Sequence, residues 1–227
     1  MFRRAAFLLA FAASAVAVSA QTSVPPNQVT NFKDPGILKP PAGDKVAILE
    51  WEDLECPACA HAFPIVHEAL NHYHIPIVER DFLINGHIWS KDAALYARYL
   101  KDKVSPDLAT EYRREVFASQ YRISSKDDLQ RFTQQFFSSH GKQLPFVVDP
   151  GGALMKEIQA DVDLGMKLGV NETPTIIVAT PHHWIQVKDV MQLYSAIDQA
   201  NALAAHEGGA AAAAKPTAKH ITTSGRK

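Results

Sequence analysis

The chain has 227 residues, of which 47% are hydrophobic and 21% are charged. This is enough to bury the core of one domain, or of one domain that carries a large insertion. The formal net charge of −1 gives no reason to expect nucleic acid or an anionic membrane surface as a partner.

The first residues are typical of an export signal. A basic start at residues 1–4 precedes an uncharged apolar run at residues 5–18, and Val18-Ser19-Ala20 supplies the small residues that a signal peptidase prefers. The run is shorter than the about 20 apolar residues that a transmembrane helix needs. We therefore expect residues 1–20 to be a cleaved signal peptide, with an uncleaved anchor as the alternative, and the mature protein to be soluble outside the cytoplasm.

Strand and helix signals then follow one another along the chain. Residues 21–43 are rich in proline and polar side chains, which predicts an extended lead-in. Apolar and β-branched residues predict strands at residues 46–51 and 75–82, with a helix at residues 56–73 between them. The next stretch, residues 86–168, has an almost wholly helical pattern.

Strand signals return late in the chain. Residues 175–179 and 183–187 predict two more strands, and residues 189–205 predict a closing amphipathic helix. Residues 206–227 are rich in Gly, Ala and Lys and cannot pack a core, which predicts a disordered tail. The order of these elements predicts a small α/β sheet that is interrupted by a helical insertion of about 80 residues.

The chain has two cysteines, Cys56 and Cys59, placed where the first strand meets the first helix. A disulfide between them would close a very small loop and add little stability. A reactive role therefore explains the pair better than a structural disulfide does. Free backbone N–H groups and the helix dipole stabilise an anion at a helix N-terminus. We therefore expect Cys56 to be exposed with a lowered pKa, and Cys59 to be more buried, while Pro57 suits the first helical position.

Such a pair predicts thiol–disulfide exchange. A client thiolate attacks Cys56 of the oxidised form and makes a mixed disulfide, which the client's second thiol resolves. In the reducing direction Cys56 attacks the client and Cys59 resolves. Two other interpretations stay open: half of a zinc site, which normally has four ligands although the chain has no second C-x-x-C, and an inert small-loop disulfide.

Three motifs resemble the thioredoxin superfamily, and the DsbA family in particular. The stretch from Glu50 to Cys59, E-W-E-D-L-E-C-P-A-C, looks like the family's strand, acidic loop and C-P-x-C motif. Pro64 matches the proline that kinks the active-site helix in many thioredoxin-like proteins, and G-V-N-E-T-P-T at residues 169–175 looks like the stretch that carries the family's cis-proline. The order of strands and helices agrees over roughly residues 44–200.

The resemblance implies a thioredoxin-like domain at residues 44–85 and 169–205, with the helical insertion at residues 86–168 between its second and third strands. It also implies a cis peptide bond before Pro174, which would lie against the disulfide, and a Thr173 backbone free to pair with an extended client. Trans is the alternative for this bond, because cis is only about 5–6% of X-Pro bonds in folded proteins.

The resemblance implies further site residues. Pro57 and Ala58 would contact the client. Glu50, six residues before Cys56, matches a buried acid beneath the disulfide that would give or take a proton as Cys59 reacts. The alternative for Glu50 is an ordinary strand-end glutamate that faces water. No cofactor and no metal are implied.

By the resemblance, the protein is a periplasmic, monomeric oxidase that donates the Cys56–Cys59 disulfide to reduced, newly exported proteins. A membrane redox partner would reoxidise it. The alternatives are a disulfide reductase or isomerase of the same fold, and a non-catalytic thioredoxin-like binding module.

Three acids, Glu52, Asp53 and Glu55, stand directly before the nucleophile. Nearby negative charge disfavours a thiolate. On this ground we expect the pKa of Cys56 not to be very low, and the protein not to be a very strong oxidant.

Overall fold

The computed structural model of this chain describes residues 32–33 and 35–213. The predicted signal peptide, residues 1–20, lies outside them and stays a prediction. Among the described residues, none of the helices is both long enough and apolar enough to cross a lipid bilayer.

One four-stranded sheet lies at the centre of the described part of the chain. Its strands are β1 (Ala47–Glu52), β2 (Ile77–Asp81), β3 (Thr175–Ala179) and β4 (Trp184–Val187), in the spatial order β2-β1-β3-β4. Strand β1 pairs in parallel with β2 and antiparallel with β3, and β3 pairs antiparallel with β4. A parallel pair needs a crossover connection, which the first helix provides, whereas a short turn suffices between the antiparallel strands β3 and β4.

Six α-helices accompany the sheet within the described residues. They are α1 (Pro57–Tyr73), α2 (Ser90–Lys103), α3 (Pro106–Ser119), α4 (Lys126–Ser139), α5 (Ala153–Leu168) and α6 (Leu193–Ala213). Short 3-10 helices lie at Pro35–Ile37, Gln120–Arg122 and Val190–Gln192. Because α2 to α5 all lie between β2 and β3, the predicted α/β, thioredoxin-like fold with a helical insertion between the second and third strands is confirmed.

The described residues bury three apolar clusters. Strand β1 is buried along its whole length, and its alternating side chains divide two of them. On one face Ile48 packs with residues of α1 and α6, and on the other Trp51 packs with Leu168 at the end of α5. The third cluster fills the insertion and includes both Cys56 and Cys59. The cysteines therefore lie at the junction between the sheet and the helical insertion.

Two segments differ from the sequence-based expectation. Helix α6 continues to Ala213 instead of ending near residue 205, so residues 206–213, expected to be disordered, are helical. The run of alanines accounts for this, because alanine has the highest helix propensity. In the expected extended lead-in, Pro35–Ile37 forms a 3-10 turn and Leu38 is buried in the same apolar cluster as Trp51.

Candidate active site

The loop from β1 to α1 places the cysteines at the start of the helix. Cys56 is the residue that precedes the first helical turn and has an extended backbone, and Pro57 is the first helical residue. Proline suits this position because the first N–H groups of a helix have no partner within the helix. The remaining free N–H groups of the first turn point toward the sulfur of Cys56.

The two cysteines are 3.5 Å apart and are free thiols in this structure. Cys59 is fully buried, and the backbone N–H of Asp53 lies 3.5 Å from its sulfur. Cys56 is 7% exposed, less than its expected role as an exposed nucleophile suggests. Its sulfur lies 3.3 Å from the carbonyl oxygen of Thr173, and the apolar cluster of the insertion covers the rest of it.

These surroundings move the pKa values of the two thiols in opposite directions. The hydrogen bond from the Cys59 thiol, supported by backbone N–H groups of Cys59 and Ala58, outweighs burial and lowers the pKa of Cys56 to about 5. Burial raises the pKa of Cys59 far above its usual range, and the hydrogen bond to Cys56 and the charge of Glu52 raise it further. At neutral pH Cys56 is therefore a thiolate and Cys59 a thiol.

The peptide bond between Thr173 and Pro174 is cis, as the resemblance implies. It precedes β3, and the Thr173 carbonyl contacts Cys56 across a separation of 117 residues in the sequence. A cavity of about 360 Å³ opens beside this contact, and Ala58, Thr173 and Pro174 are among its lining residues. Pro57 is exposed but does not line this cavity, so the structure brings together only part of the predicted client-binding set.

The carboxylate of Asp53 ties the active-site loop to the segment that follows β2. It accepts hydrogen bonds from the backbone N–H groups of Glu55 and Ile84, each at 2.8 Å. It also lies 2.9 Å from Nδ1 of His87. Both of its oxygens are thus held by partners other than Cys56.

Glu55 has a similar structural role at the start of α2. Its carboxylate accepts hydrogen bonds from the backbone N–H groups of Trp89 (2.6 Å) and Ser90 (2.8 Å). It therefore satisfies donors at a helix N-terminus that no side chain within α2 caps. With Asp53 and Glu55 bound in this way, the pKa of Cys56 is lowered to about 5, and the expectation that the acids before it keep the pKa from being very low stays a prediction.

A glutamine of the insertion, Gln120, also holds this loop. Its side-chain Nε2 donates to the carbonyl oxygens of Leu54 (2.8 Å) and Cys56 (3.1 Å). The insertion therefore contacts the backbone of the nucleophile directly. Sequence reasoning missed Gln120, because a glutamine at the end of a helix carries no distinguishing pattern.

Glu50 lies on the face of β1 that packs against α1. It is buried, as the resemblance implies, and does not face water. Its Oε1 has no hydrogen-bond partner among the described residues. Burial raises the pKa of Glu50 well above its usual value, and the negative charges of Glu52 and Glu79 raise it further. Glu50 therefore holds its proton more tightly than an exposed glutamate does.

Glu52, on the same side of β1, has a buried counter-charge. Arg113 of α3 donates from one guanidinium nitrogen to Glu52 and from the other to Asp81 of β2, the latter at 2.9 Å. Burial raises the pKa of Glu52 to about 7 although Arg113 lowers it. Sequence reasoning missed this pair. The available signal was a charged residue, Arg113, within the apolar stripe that includes Tyr112 and Val116.

Among the described residues, no group of three or more His, Cys, Asp or Glu side chains could hold a metal ion.

Comparison with known proteins agrees with this geometry. The family model described as Thioredoxin matches residues 42–199. The chain belongs to the thioredoxin family. No curated protein matches the chain.

Several solved structures have a similar fold. One is the thiol-disulfide exchange protein α-DsbA2 from Wolbachia pipientis, with a TM-score of 0.51 and 19% identity over 71% of this chain and 84% of that chain. Another is the oxidoreductase NmDsbA1 from N. meningitidis, with a TM-score of 0.54 and 15% identity over 88% of this chain and 98% of that chain. A third is ScsC from Proteus mirabilis, with a TM-score of 0.55 and 16% identity over 72% of this chain and 71% of that chain.

The predicted membership of the thioredoxin superfamily is therefore confirmed, and the fold is similar to that of DsbA proteins. Membership of this family, together with a thiolate at Cys56 and a thiol at Cys59, identifies the chain as a thiol–disulfide oxidoreductase. Its chemistry is exchange between the Cys56–Cys59 pair and the thiols or disulfides of other molecules.

Proposed function

We propose that the protein is a periplasmic oxidase, which passes the Cys56–Cys59 disulfide to reduced, newly exported proteins. The observation that carries this direction is the position of Cys56 at the start of α1, 3.5 Å from Cys59, where hydrogen-bond donors lower its pKa. Because hydrogen bonds stabilise the thiolate only in the dithiol form, they favour that form over the disulfide. A disulfide whose reduced form is stabilised is a stronger oxidant.

The proposed reaction has two exchange steps. A client thiolate attacks the sulfur of Cys56 in the disulfide form, and Cys59 leaves as a thiolate that takes up a proton. The client's second thiolate then attacks the client sulfur of the mixed disulfide, and Cys56 leaves as the stabilised thiolate. The client has lost two electrons and gained a disulfide, and the enzyme has become a dithiol.

The client is proposed to lie along the Thr173–Pro174 loop. Thr173 is adjacent to the Cys56 sulfur, so a client cysteine attached to Cys56 would place its own backbone beside this loop. The cavity of about 360 Å³ next to it would accept a neighbouring client side chain. Thr173 and Ala58 are the proposed contacts, while exposed Pro57 stays a prediction from the sequence.

The remaining parts of the proposal come from the sequence and its resemblance. Residues 1–20 direct export and are cleaved, the enzyme acts as a monomer, and a membrane redox partner reoxidises it. Two buried acids are candidates for the proton that Cys59 exchanges: Glu50, predicted from the resemblance, and its neighbour Glu52.

Equilibration with glutathione buffers tests the direction of electron flow. The fraction of protein in the disulfide form is measured by alkylating free thiols and separating the two forms by mass. We expect a reduction potential well above about −180 mV, whereas a value near about −270 mV would make the protein a reductase. A reduction potential near about −270 mV would overturn the proposed oxidase direction, but it would leave the exchange chemistry intact.

The Cys56→Ser variant separates catalysis from mere binding. We expect it to lose all activity in the oxidative refolding of reduced ribonuclease, since no mixed disulfide can form at position 56. A wild-type protein that binds unfolded clients but does not oxidise them would favour the non-catalytic binding module.

A further inference from the structure

A second cavity, which we call the α1–α3 groove, lies along the cysteine helix. Its volume of about 750 Å³ is about twice that of the cavity beside Thr173. Helix α1 lines the groove with residues that include Ala60, Phe63, Pro64 and His67, and α3 lines it with Thr110, Arg114, Phe117 and Ala118. Ala58 and His61 of α1 line the cavity beside Thr173 instead. Because an α-helix turns once every 3.6 residues, the two sets centre on opposite sides of α1, and the groove is separate from the client contacts proposed above.

The floor of the α1–α3 groove is aromatic. The ring centroids of Phe63 and His67 are 4.0 Å apart, and those of Phe63 and Phe117 are 5.2 Å apart. Burial lowers the pKa of His67, so that its ring is uncharged at neutral pH. The three rings therefore form one uncharged surface that reaches from α1 to α3. Aromatic rings prefer tilted or offset contacts with other aromatic rings, so this floor favours an aromatic ligand over an aliphatic one.

The rim of the groove is polar and carries both signs of charge. Glu68 of α1 and Arg114 of α3 both line it, together with the neutral side chains of Asn71 and Thr110. This balance disfavours a charged ligand of either sign. The Arg114 side chain is 61% exposed and lies 3.3 Å from Glu111 on the same helix, and surface pairs of this kind are weak. Its guanidinium is therefore available to lie over an aromatic ring in the groove.

The groove is continuous with the reactive sulfur. Phe63 and Phe117 belong to the same apolar cluster as Cys56 and Cys59, and Ala60, at the near end of the groove, is the residue after Cys59. Phe63 is seven residues after Cys56, which is about 10 Å along a helix. An extended chain covers this distance in about three residues. A client joined to Cys56 by a mixed disulfide can therefore place a nearby side chain in the groove.

We propose that the α1–α3 groove binds an aromatic side chain of the client, about three residues from the client's reactive cysteine. This inference rests on the proposed function, since it names a class of client for the same cysteine pair. The client backbone runs from the Thr173–Pro174 loop across Cys56 toward α3. One flank of the client cysteine then lies beside the Thr173 cavity, and the other flank delivers its aromatic ring to Phe63 and Phe117.

Equilibrium exchange of a mixed disulfide tests the proposal. The full-length Cys59→Ala variant, whose one thiol is Cys56, is prepared as the mixed disulfide with glutathione and equilibrated with synthetic peptides that contain a single cysteine. The peptide thiolate attacks the Cys56 sulfur and glutathione leaves as a thiolate, so one disulfide replaces another without net oxidation. The peptides are otherwise glycine and serine, and they carry Phe, Leu, Glu or Gly at one position on either side of the cysteine. Mass spectrometry of the intact protein gives each exchange constant.

We expect Phe about three residues from the cysteine, on one side of it, to raise the exchange constant at least about tenfold over Gly at the same position. Leu should raise it less, and Glu should not raise it. Equal constants for Phe and Gly at every position would overturn the proposal, and so would a gain that did not depend on position. Failure of every peptide to form a mixed disulfide would instead contradict the proposed function as a whole.

Ala118→Phe, combined with Cys59→Ala, fills the groove without removing a core side chain, because Ala118 is exposed. The ratio of the exchange constants for the Phe and Gly peptides should fall toward one. Ala202→Phe is the matched control, since Ala202 is an exposed alanine of α6 that does not line the groove, and it should keep the ratio. An unchanged ratio in Ala118→Phe, or an equal loss in Ala202→Phe, would overturn the proposal.

Two further measurements separate the aromatic client from other occupants. Arg114→Gln removes the cation and should lower the ratio of the constants for the Phe and Leu peptides by about twofold or more, whereas an unchanged ratio would overturn the proposed contact with Arg114. Sedimentation of the wild-type protein and of Ala118→Phe tests a second copy of this chain as the occupant. We expect the two to have the same mass in solution. A wild-type dimer that Ala118→Phe dissociates would assign the groove to the second copy and overturn the proposal.

Discussion

At the scale of single residues, the reactivity of Cys56 depends on two kinds of donor. The largest effect on its pKa comes from the Cys59 thiol, and the backbone N–H groups of Cys59 and Ala58 add to it. The sequence predicted correctly that the helix begins at the cysteines. It did not predict the partners of Asp53 and Glu55, because these carboxylates accept from backbone N–H groups of Ile84 and Trp89, which lie far along the chain.

Substitution of Cys59 should therefore raise the pKa of Cys56. We expect Cys59→Ala to move it from about 5 toward its ordinary value of about 8.5, since the strongest hydrogen bond is lost. Cys59→Ser keeps a hydroxyl donor and should raise the pKa less. The pH dependence of alkylation by iodoacetamide measures this, because each variant has one thiol. An inflection that stays near about 5 in Cys59→Ala would contradict the role of Cys59 as donor.

At the scale of elements, buried charges join the insertion to the sheet. Asp81 of β2 binds both Arg113 of α3 and Arg98 of α2, and Arg98 also binds Asp161 of α5 at 2.6 Å. Arg80 of β2 binds Asp161 from the other side at 2.7 Å. The network therefore links three helices of the insertion to the edge strand of the sheet.

Loss of Arg113 should be far more costly than loss of its exposed neighbour. Arg113→Met leaves Glu52 without its buried counter-charge and Asp81 with Arg98 alone, and breaking a buried pair in this way typically costs about 3–5 kcal/mol of unfolding free energy. Arg114, whose side chain is 61% exposed and pairs with Glu111 on the same helix, is the matched control. We expect Arg114→Met to cost less than about 1 kcal/mol. Urea denaturation of both variants checks this, and equal losses would mean that the network adds no stability.

Much of the element order was predictable from the sequence, and the network was not. The strands β1 and β3 and the helix after the cysteines follow from apolar periodicity and from the Pro57 signal. Periodicity assigns a residue to a face but does not name its partner. Arg113 and Glu52 are 61 residues apart, so their contact depends on how α3 packs across the end of β1.

At the scale of the whole molecule, the active site lies where the apolar cluster of the insertion meets the sheet. Cys56 and Cys59 belong to the cluster of the insertion, although their helix packs on the sheet through Val66. The redox state of two sulfurs is therefore coupled to the stability of the fold, because the dithiol form holds a thiolate that the folded structure stabilises. The disulfide form has no such thiolate.

This coupling predicts a pH-dependent gap in stability between the two redox forms. The folded-state pKa of Cys56 is lowered to about 5, so its contribution is fully present above its unfolded pKa and is lost as the pH falls through about 5. Each pKa unit corresponds to about 1.4 kcal/mol, and water at the site mouth reduces this, so we expect the dithiol form to lose roughly 1–2 kcal/mol relative to the disulfide form between about pH 7 and pH 5. Urea unfolding of both forms at the two pH values measures the gap. If the difference in unfolding free energy between the dithiol and disulfide forms were the same at both pH values, the Cys56 thiolate would be no better stabilised in the folded protein than in the unfolded chain. The oxidising power proposed for the disulfide would then not come from Cys56.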